Sequence, residues 1–506
     1  MANGTAGNGA AGGGAAKAPA GIHPGRLFLG SCMALISTSV AFAVVGDIMG
    51  TLKTQFVLTN QQVGYIGGAA LWGFTISIFA LGPLVDVLTM RRLLWFAFLC
   101  HAVGPLIMIF APGFWWLFIG ALVIALGNGT VEAVCNPLVA TIYPDRKTEK
   151  LNQFHVWFPG GIVIGGLLCF ALTKLGIASW QVRLVLILIP TAIYGLLFVG
   201  QKFPLTERVQ SGVSFSGMLQ AAFFRPFFLL LFFCMMVTAS LELGPNRWIP
   251  SILEAGGIHG ILVLVWISGL MAVLRFFAGP VVHRLSPTGL LLTSAILAGI
   301  GLFWLSFAET GAVAFLAATV FALGVCYFWP TMLGVASERV PKGGALALAL
   351  LGGIGMAVVG LYTSPKMGKI ADHYLHTQLP VDQTKACLQK VVDTFPALRD
   401  QAKGKQGEDI QAAIDAAREA LAATAAGEQG ALPPKATANA LRAAIGCGAD
   451  SPVVGDAKAI LNPADNYGGR MSFRRVAPFA IILVIVFGAV YASDRAKGGY
   501  KVEKIS

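Results

Sequence analysis

Twelve stretches of this 506-residue chain, the first over 27–49 and the last over 476–491, are apolar for about the 17–25 residues that an α-helix needs to cross roughly 30 Å of hydrocarbon. They fall into two groups of six, separated by the charged, Ser- and Gly-containing stretch 201–226. An all-α membrane protein with two six-helix bundles is the expected fold. Composition agrees. Hydrophobic residues are 56% and charged residues 12% of the chain, with a mean hydropathy of +0.73, whereas soluble domains carry about 25% charged residues. The net charge of +12 forms no basic stripe of the kind that binds nucleic acid, because Lys and Arg sit in short clusters between apolar runs.

Those clusters set an expected topology. With the N-terminus inside, inner loops hold Arg91 and Arg92, Arg146, Lys147 and Lys150, Lys202 and Arg208, and Arg339 and Lys342. Short outer loops hold only Lys53, Lys174, Arg183 and Arg247. The positive-inside rule then places both termini in the cytoplasm of a cell (inner) membrane. Lys366, Lys369, Arg470, Arg474 and Arg475 flank a long outer segment, and long segments cross largely regardless of charge. The implied organisation is a disordered Gly/Ala-rich tail (1–25), a first bundle (26–200), a cytoplasmic linker (201–226) and spans 7–11 (227–372). An extracytoplasmic insertion (373–473), span 12 (474–492) and a cytoplasmic tail (493–506) follow.

The two halves repeat one another. Gly82-Pro83-Leu84-Val85-Asp86 matches Gly279-Pro280-Val281-Val282-His283, Ala125-Leu126-Gly127 matches Ala322-Leu323-Gly324, and Tyr143-Pro144 matches Val340-Pro341. Each pair is 197 residues apart, which points to duplicated bundles with a substrate site between repeats.

Gly73, Gly82 and Asp86, followed by Arg91 and Arg92, resemble the signature between helices 2 and 3 of the major facilitator superfamily. Val87 and Thr89 stand where that signature has a basic residue and a glycine. The resemblance implies a conformational latch made by Gly82, Asp86, Arg91 and Arg92 at the inner face. A narrower likeness is to the fucose permease branch, the proton-coupled sugar symporters. It rests on Gly127-x-Gly129-x-x-Glu132, Asn136-Pro137, Leu151-Asn152 and His155, and on Asp47 upstream of Leu58-Thr59-Asn60. In that branch a glutamine that helps bind sugar stands at the position of His155, so the identity of the sugar is left open here. The resemblance implies twelve helices in two pseudo-symmetric bundles and a sugar:proton symporter.

Span 4 carries its own argument. Asn128, Glu132 and Asn136 are four residues apart and line one helix face, which inside an apolar span must turn to the bundle interior. An ionised carboxylate at mid-span costs roughly 2.5–3.5 kcal/mol on insertion scales, so Glu132 suits a group that takes up and releases a proton. A structural acid bonded to a neighbouring helix is the alternative. Asp47 is either a second coupling group, as the resemblance implies, or an acid at the outer interface. Asn128, Asn136, His155, Trp157, Glu242, Tyr327 and Trp329 are candidate substrate ligands. Against this, His155 could be an ordinary cap and Glu242 interfacial, and most rings in such a chain only pack. Arg275 is a possible counter-charge for Glu242.

No HExxH, GxSxG or GxxxxGK[ST] pattern occurs, and no CxxC pair or His cluster suggests a metal, so neither an enzyme nor a cofactor is expected. The expected partners are a small solute, protons and the bilayer, with the carrier a monomer. The expected function is proton-coupled import of a monosaccharide or similar solute. A carrier or exporter of another organic solute, or a transporter-like sensor, remains as the alternative. Within the insertion, 409–426 and 436–445 read as amphipathic helices. Cys387 and Cys447 are its only cysteines and, in an oxidising compartment, are expected to bond to each other; two unpaired thiols in a partly disordered loop are the alternative.

Overall fold

In the computed structural model, residues 21–505 are described except 57, 59, 178, 403 and 427–433. Most of the expected disordered tail, and Thr59 of the Leu58-Thr59-Asn60 stretch, lie outside the described residues. All regular structure among the described residues is helical. The first bundle contains α1 (Pro24–Gln55), α2 (Asn60–Leu81), α3 (Met90–Ile109), α4 (Phe114–Ile142), α5 (Trp157–Lys174) and α6 (Trp180–Phe198). The second contains α7 (Pro226–Ala255), α8 (Gly260–Phe276), α9 (Ala278–Leu305, broken at Ser286), α10 (Gly311–Val325 and Phe328–Arg339), α11 (Gly344–Val358) and α12 (Phe479–Ala496). Among the described residues, ten helical stretches are long and apolar enough to cross a bilayer, and Tyr65–Leu81 and Gly260–Phe276 are shorter apolar helices.

Local chemistry accounts for the helix ends. Pro24 and Pro226 occupy first-turn positions where no amide donor is needed, while the Ser179 and Thr310 hydroxyls accept from the amides of Val182 and Val313. With no water in hydrocarbon to drive helices together, close approach depends on small residues. A Cβ on Gly104 would lie 2.9 Å from the Ile124 amide nitrogen, and one on Gly301 would lie 2.2 Å from that of Phe321. Large apolar side chains such as Leu196 (69% exposed) and Ile485 (66%) point outward, which suits lipid and not water.

The 197-residue repeat reappears in the backbone. Thr89 and Ser286, with φ of +69° and +61°, are the two non-glycine residues with positive φ among those described, and 286 − 89 is again 197. Glycine takes this conformation freely and a β-branched threonine does not, which is why the superfamily signature has glycine at Thr89. Single 3₁₀ turns at Pro144–Arg146 and Pro341–Gly343 keep the same spacing, as do the Gly104–Ile124 and Gly301–Phe321 contacts.

The start of α1 and the C-terminal tail lie on one face. Arg26 donates to the carbonyls of Leu197 and Val199 at the end of α6. Arg225 pairs with Glu503 at 2.5 Å, and the Tyr500 hydroxyl donates to Glu338 at 2.6 Å. This face is where the bundles close on each other. Thr148 donates through its amide (3.0 Å) and hydroxyl (2.8 Å) to Glu338, Lys147 to the Ser337 carbonyl (3.3 Å) and Asn152 to Thr331 (3.2 Å). A Cβ on Gly82 would lie 2.1 Å from Cβ of Ala349, so glycine is what lets α2 meet α11. The latch differs from expectation. Arg91 and Arg92 are exposed, and Asp86 instead holds Arg208 of the linker at 2.5 Å and accepts from Thr206 at 2.6 Å. The turn at Thr89 separates Asp86 from the start of α3, and the linker folds into the space beneath.

The insertion grows out of membrane helices. α11 continues through a π-turn, Val359–Thr363, into Ser364–His376, and Pro452–Val476 passes through Ala477 and Pro478 in helical conformation into α12. On these extensions sit Val381–Gln401, Lys405–Ala426 and Pro434–Gly446, which enclose a separate core that includes Leu388, Phe395, Ile410, Ile414 and Leu441. Arg442 ties them to the extensions through Asp372 (3.3 Å) and Asp465 (2.8 Å).

The expected bond between Cys387 and Cys447 is not formed, and both are free, buried thiols. Their helices pack chiefly against Lys405–Ala426, which lies between them, so the sulfurs are held apart. Burial pushes both thiols above the usual cysteine range. Maleimide should therefore label neither in the folded protein, and label both after denaturation without any reductant. A requirement for reductant would restore the bridge.

Candidate functional site

Between the bundles, on the side of these contacts remote from the termini, lies a cavity of about 500 Å³. Its wall runs up to Met49 on α1 and Arg247 on α7 and is mostly apolar, with few polar groups. Size and lining are those of a small-molecule site.

One guanidinium links the two bundles at the cavity. Pro159 and Pro330 have no amide hydrogen, so the carbonyls four residues earlier, of His155 and Cys326, have no helical donor. Arg275 on α8 supplies both, donating through Nη1 to His155 O (3.0 Å) and through Nε to Cys326 O (2.5 Å), while its Nη2 reaches Glu242 Oε1 at 3.2 Å. An orphan carbonyl in hydrocarbon is costly, and so is a lone charge, so each offsets the other. The His155 bond crosses between bundles. Arg275, Glu242, Glu132 and His155 are all nearly inaccessible to solvent.

On α4 the expected stripe is in place. Asn136 donates to Glu132 Oε2 at 2.6 Å and to the Glu132 carbonyl at 2.8 Å. Its Oδ1 can only accept, so His155 donates to it through Nε2 (3.0 Å), and that nitrogen stands 3.9 Å from Glu132 Oε2. Asn128, Glu132, His155, Glu242, Arg275 and Trp329 all line the cavity, and Asn136 touches two of them. Glu242 Oε2 and Asn246 Oδ1, one turn apart on α7, are buried without a hydrogen-bond partner among the described residues. A solute with two donors would satisfy them.

Three candidates go elsewhere. Asp47 pairs with Arg183 of α6, away from the cavity wall. The Trp157 ring is outside the wall and its carbonyl accepts from Ser39 at 3.1 Å. The Tyr327 hydroxyl is spent on the Leu274 carbonyl at 2.9 Å. Sequence reasoning missed Asn246 and the reach of Arg275 across the bundles. The signal for Arg275 was present as prolines four residues after His155 and Cys326. No group of three or more His, Cys, Asp or Glu side chains that could hold a metal occurs among the described residues.

Two like helical bundles around a shared cavity define a multi-pass membrane protein of two-bundle architecture. The chain belongs to the Major Facilitator Superfamily, whose profile matches residues 27–364. It is 27% identical over 182 residues to monosaccharide-sensing protein 2 of Arabidopsis thaliana, covering 35% of this chain and 25% of that protein. To a probable sugar efflux transporter of Haemophilus influenzae it is 22% identical over 364 residues, covering 70% of this chain and 87% of that protein. The matches span about a quarter of the length of the Arabidopsis protein and of the myo-inositol transporter 1 of Candida albicans. Among solved structures, FucP in the outward conformation superposes with a TM-score of 0.57 at 19% identity, covering 68% of this chain and 92% of that one. The proton:xylose symporter XylE gives 0.56 at 16%, covering 68% and 89%. At these identities the likeness shows the fold.

Proposed function

We propose that the chain is a secondary carrier that imports a monosaccharide or a similar small polar solute by alternating access, coupled to proton entry. The observation that carries this reading is the cavity, closed toward the tails, in which Glu132, His155, Glu242 and Arg275 converge from both bundles. Glu132 is the group that takes and releases the proton. Asn128, His155, Glu242 and Trp329 are the solute contacts, with Asn136 orienting Glu132. Sugar and inositol transporters among the relatives, and sugar:proton symporters among the structural neighbours, point to the same solute class. In this reading the tails face the cytoplasm of a cell membrane, the insertion over about 373–473 lies outside, the first bundle ends near residue 200, and the carrier acts as a monomer.

Counterflow in proteoliposomes with radiolabelled L-fucose, D-xylose, D-glucose and myo-inositol tests it. Exchange of at least one, stimulated by an inward proton gradient, is expected. Binding of one without exchange would turn the reading to a sensor. Neither binding nor exchange of any would remove this solute class.

A further inference from the structure

His101 lies in the middle of α3, fully buried, and takes no part in the network around Arg275. Its Nε2 is 2.9 Å from Asn128 Oδ1 on α4, and its Nδ1 is 3.1 Å from the Tyr194 hydroxyl on α6. With Asn128 Oδ1 as the acceptor, a neutral imidazole has one arrangement that satisfies all three groups. Asn128 Oδ1 only accepts, so His101 carries its hydrogen on Nε2. Its Nδ1 is then an acceptor, and Tyr194 donates to it. With Oδ1 turned to His101, the amide hydrogens are the groups Asn128 has left to direct to the cavity, and Asn128 is part of the cavity wall.

The surroundings are shaped to hold this imidazole. A Cβ on Gly127 would lie 2.6 Å from His101 Cδ2 and 2.8 Å from its Nε2, so the ring reaches Asn128 only because residue 127 has no side chain. Tyr194 is in turn fixed by Phe98, edge-on at 5.8 Å, and Phe98 itself occupies space kept free by Gly195, where a Cβ would meet its ring at 2.5 Å. Three helices are thereby made to present one amide in one orientation.

We propose that His101, held by Tyr194, is a positioning residue that fixes Asn128 as a hydrogen-bond donor to a hydroxyl oxygen of the transported solute. The inference rests on the carrier reading and adds to it a polarity requirement. At this point of the cavity the solute must present an acceptor, whereas at Glu242 and Asn246 it must present donors. A sugar or polyol hydroxyl does both.

The test is a mutant cycle in the full-length protein, read as the half-saturation constant and maximal rate of counterflow. The probe is whichever of L-fucose, D-xylose, D-glucose or myo-inositol the wild type exchanges fastest. His101→Leu should raise the half-saturation constant about tenfold, the equivalent of one net hydrogen bond, with the maximal rate within about twofold. His101→Gln, which can still donate to Asn128 and accept from Tyr194, should stay near wild type. In an Asn128→Ala background the His101→Leu penalty should vanish. Equal penalties in both backgrounds, or His101→Gln as impaired as His101→Leu, would make His101 only a clip between helices and overturn the proposal. If His101→Leu does not fold, Tyr194→Phe carries the same comparison, with about a threefold rise expected when Asn128 is present and none when it is not. Undiminished affinity in Asn128→Ala, with exchange intact, removes this inference and leaves the carrier reading standing. No exchange of any probe by the wild type removes this inference together with the sugar-carrier reading on which it rests.

Discussion

Glu132→Gln is expected to uncouple the carrier while sparing its binding site. Glutamine keeps the volume of the side chain and an oxygen for Asn136, whose amide now donates at 2.6 Å, but it cannot carry a transferable proton. Uptake driven by an inward proton gradient should therefore fall by roughly 5–150-fold, the span of an ordinary coupling free energy. Counterflow needs no net proton movement and should remain measurable. His155, 3.9 Å from Glu132, is a second titratable side chain beside it, and Arg275 reaches the His155 backbone carbonyl and not its ring. The paired measurement of gradient-driven uptake and counterflow decides the matter. Undiminished gradient-driven uptake in the variant would move the coupling role away from Glu132.

Removing the guanidinium at Arg275 has the second large expected effect, on stability. Arg275→Leu deletes a charge that satisfies Glu242, the His155 carbonyl and the Cys326 carbonyl together. Breaking a buried pair on one side costs about 3–5 kcal/mol because the other charge is left uncompensated. Two orphan carbonyls add to that, since neither Pro159 nor Pro330 can supply a donor. Thermal unfolding of purified protein should show a marked loss, and Arg275→Leu combined with Glu242→Gln should recover part of it. Recovery to wild type in that double variant would mean that the carbonyls contribute little. No loss in the single variant would mean that the pair carries no net stabilisation.

Much of this protein was legible along the chain, because the relevant energies add residue by residue. Transfer of apolar side chains into hydrocarbon depends on run length, so the twelve spans could be counted before any packing was known. The duplication was equally local, since Pro144 and Pro341 start the same turn and Thr89 and Ser286 make the same left-handed step at one spacing. The stripe of Asn128, Glu132 and Asn136 followed from helical periodicity, because a polar face in a span has nowhere to turn but inward.

Pairing between helices was not legible, because it depends on how far each helix rotates and tilts against its neighbours, which packing of small residues decides. Asp86 could have met Arg91 or Arg92 on charge alone, yet the turn at Thr89 left Arg208 as the nearer partner. Asp47 had the composition of a coupling acid, and the rotation of α1 gave it to Arg183. Cys387 and Cys447 were the only thiols of the insertion, but a helix packed between theirs keeps them apart. For the same reason His101, one polar residue in an apolar run, acquired a partner on each side only when Gly127 let α3 and α4 come together.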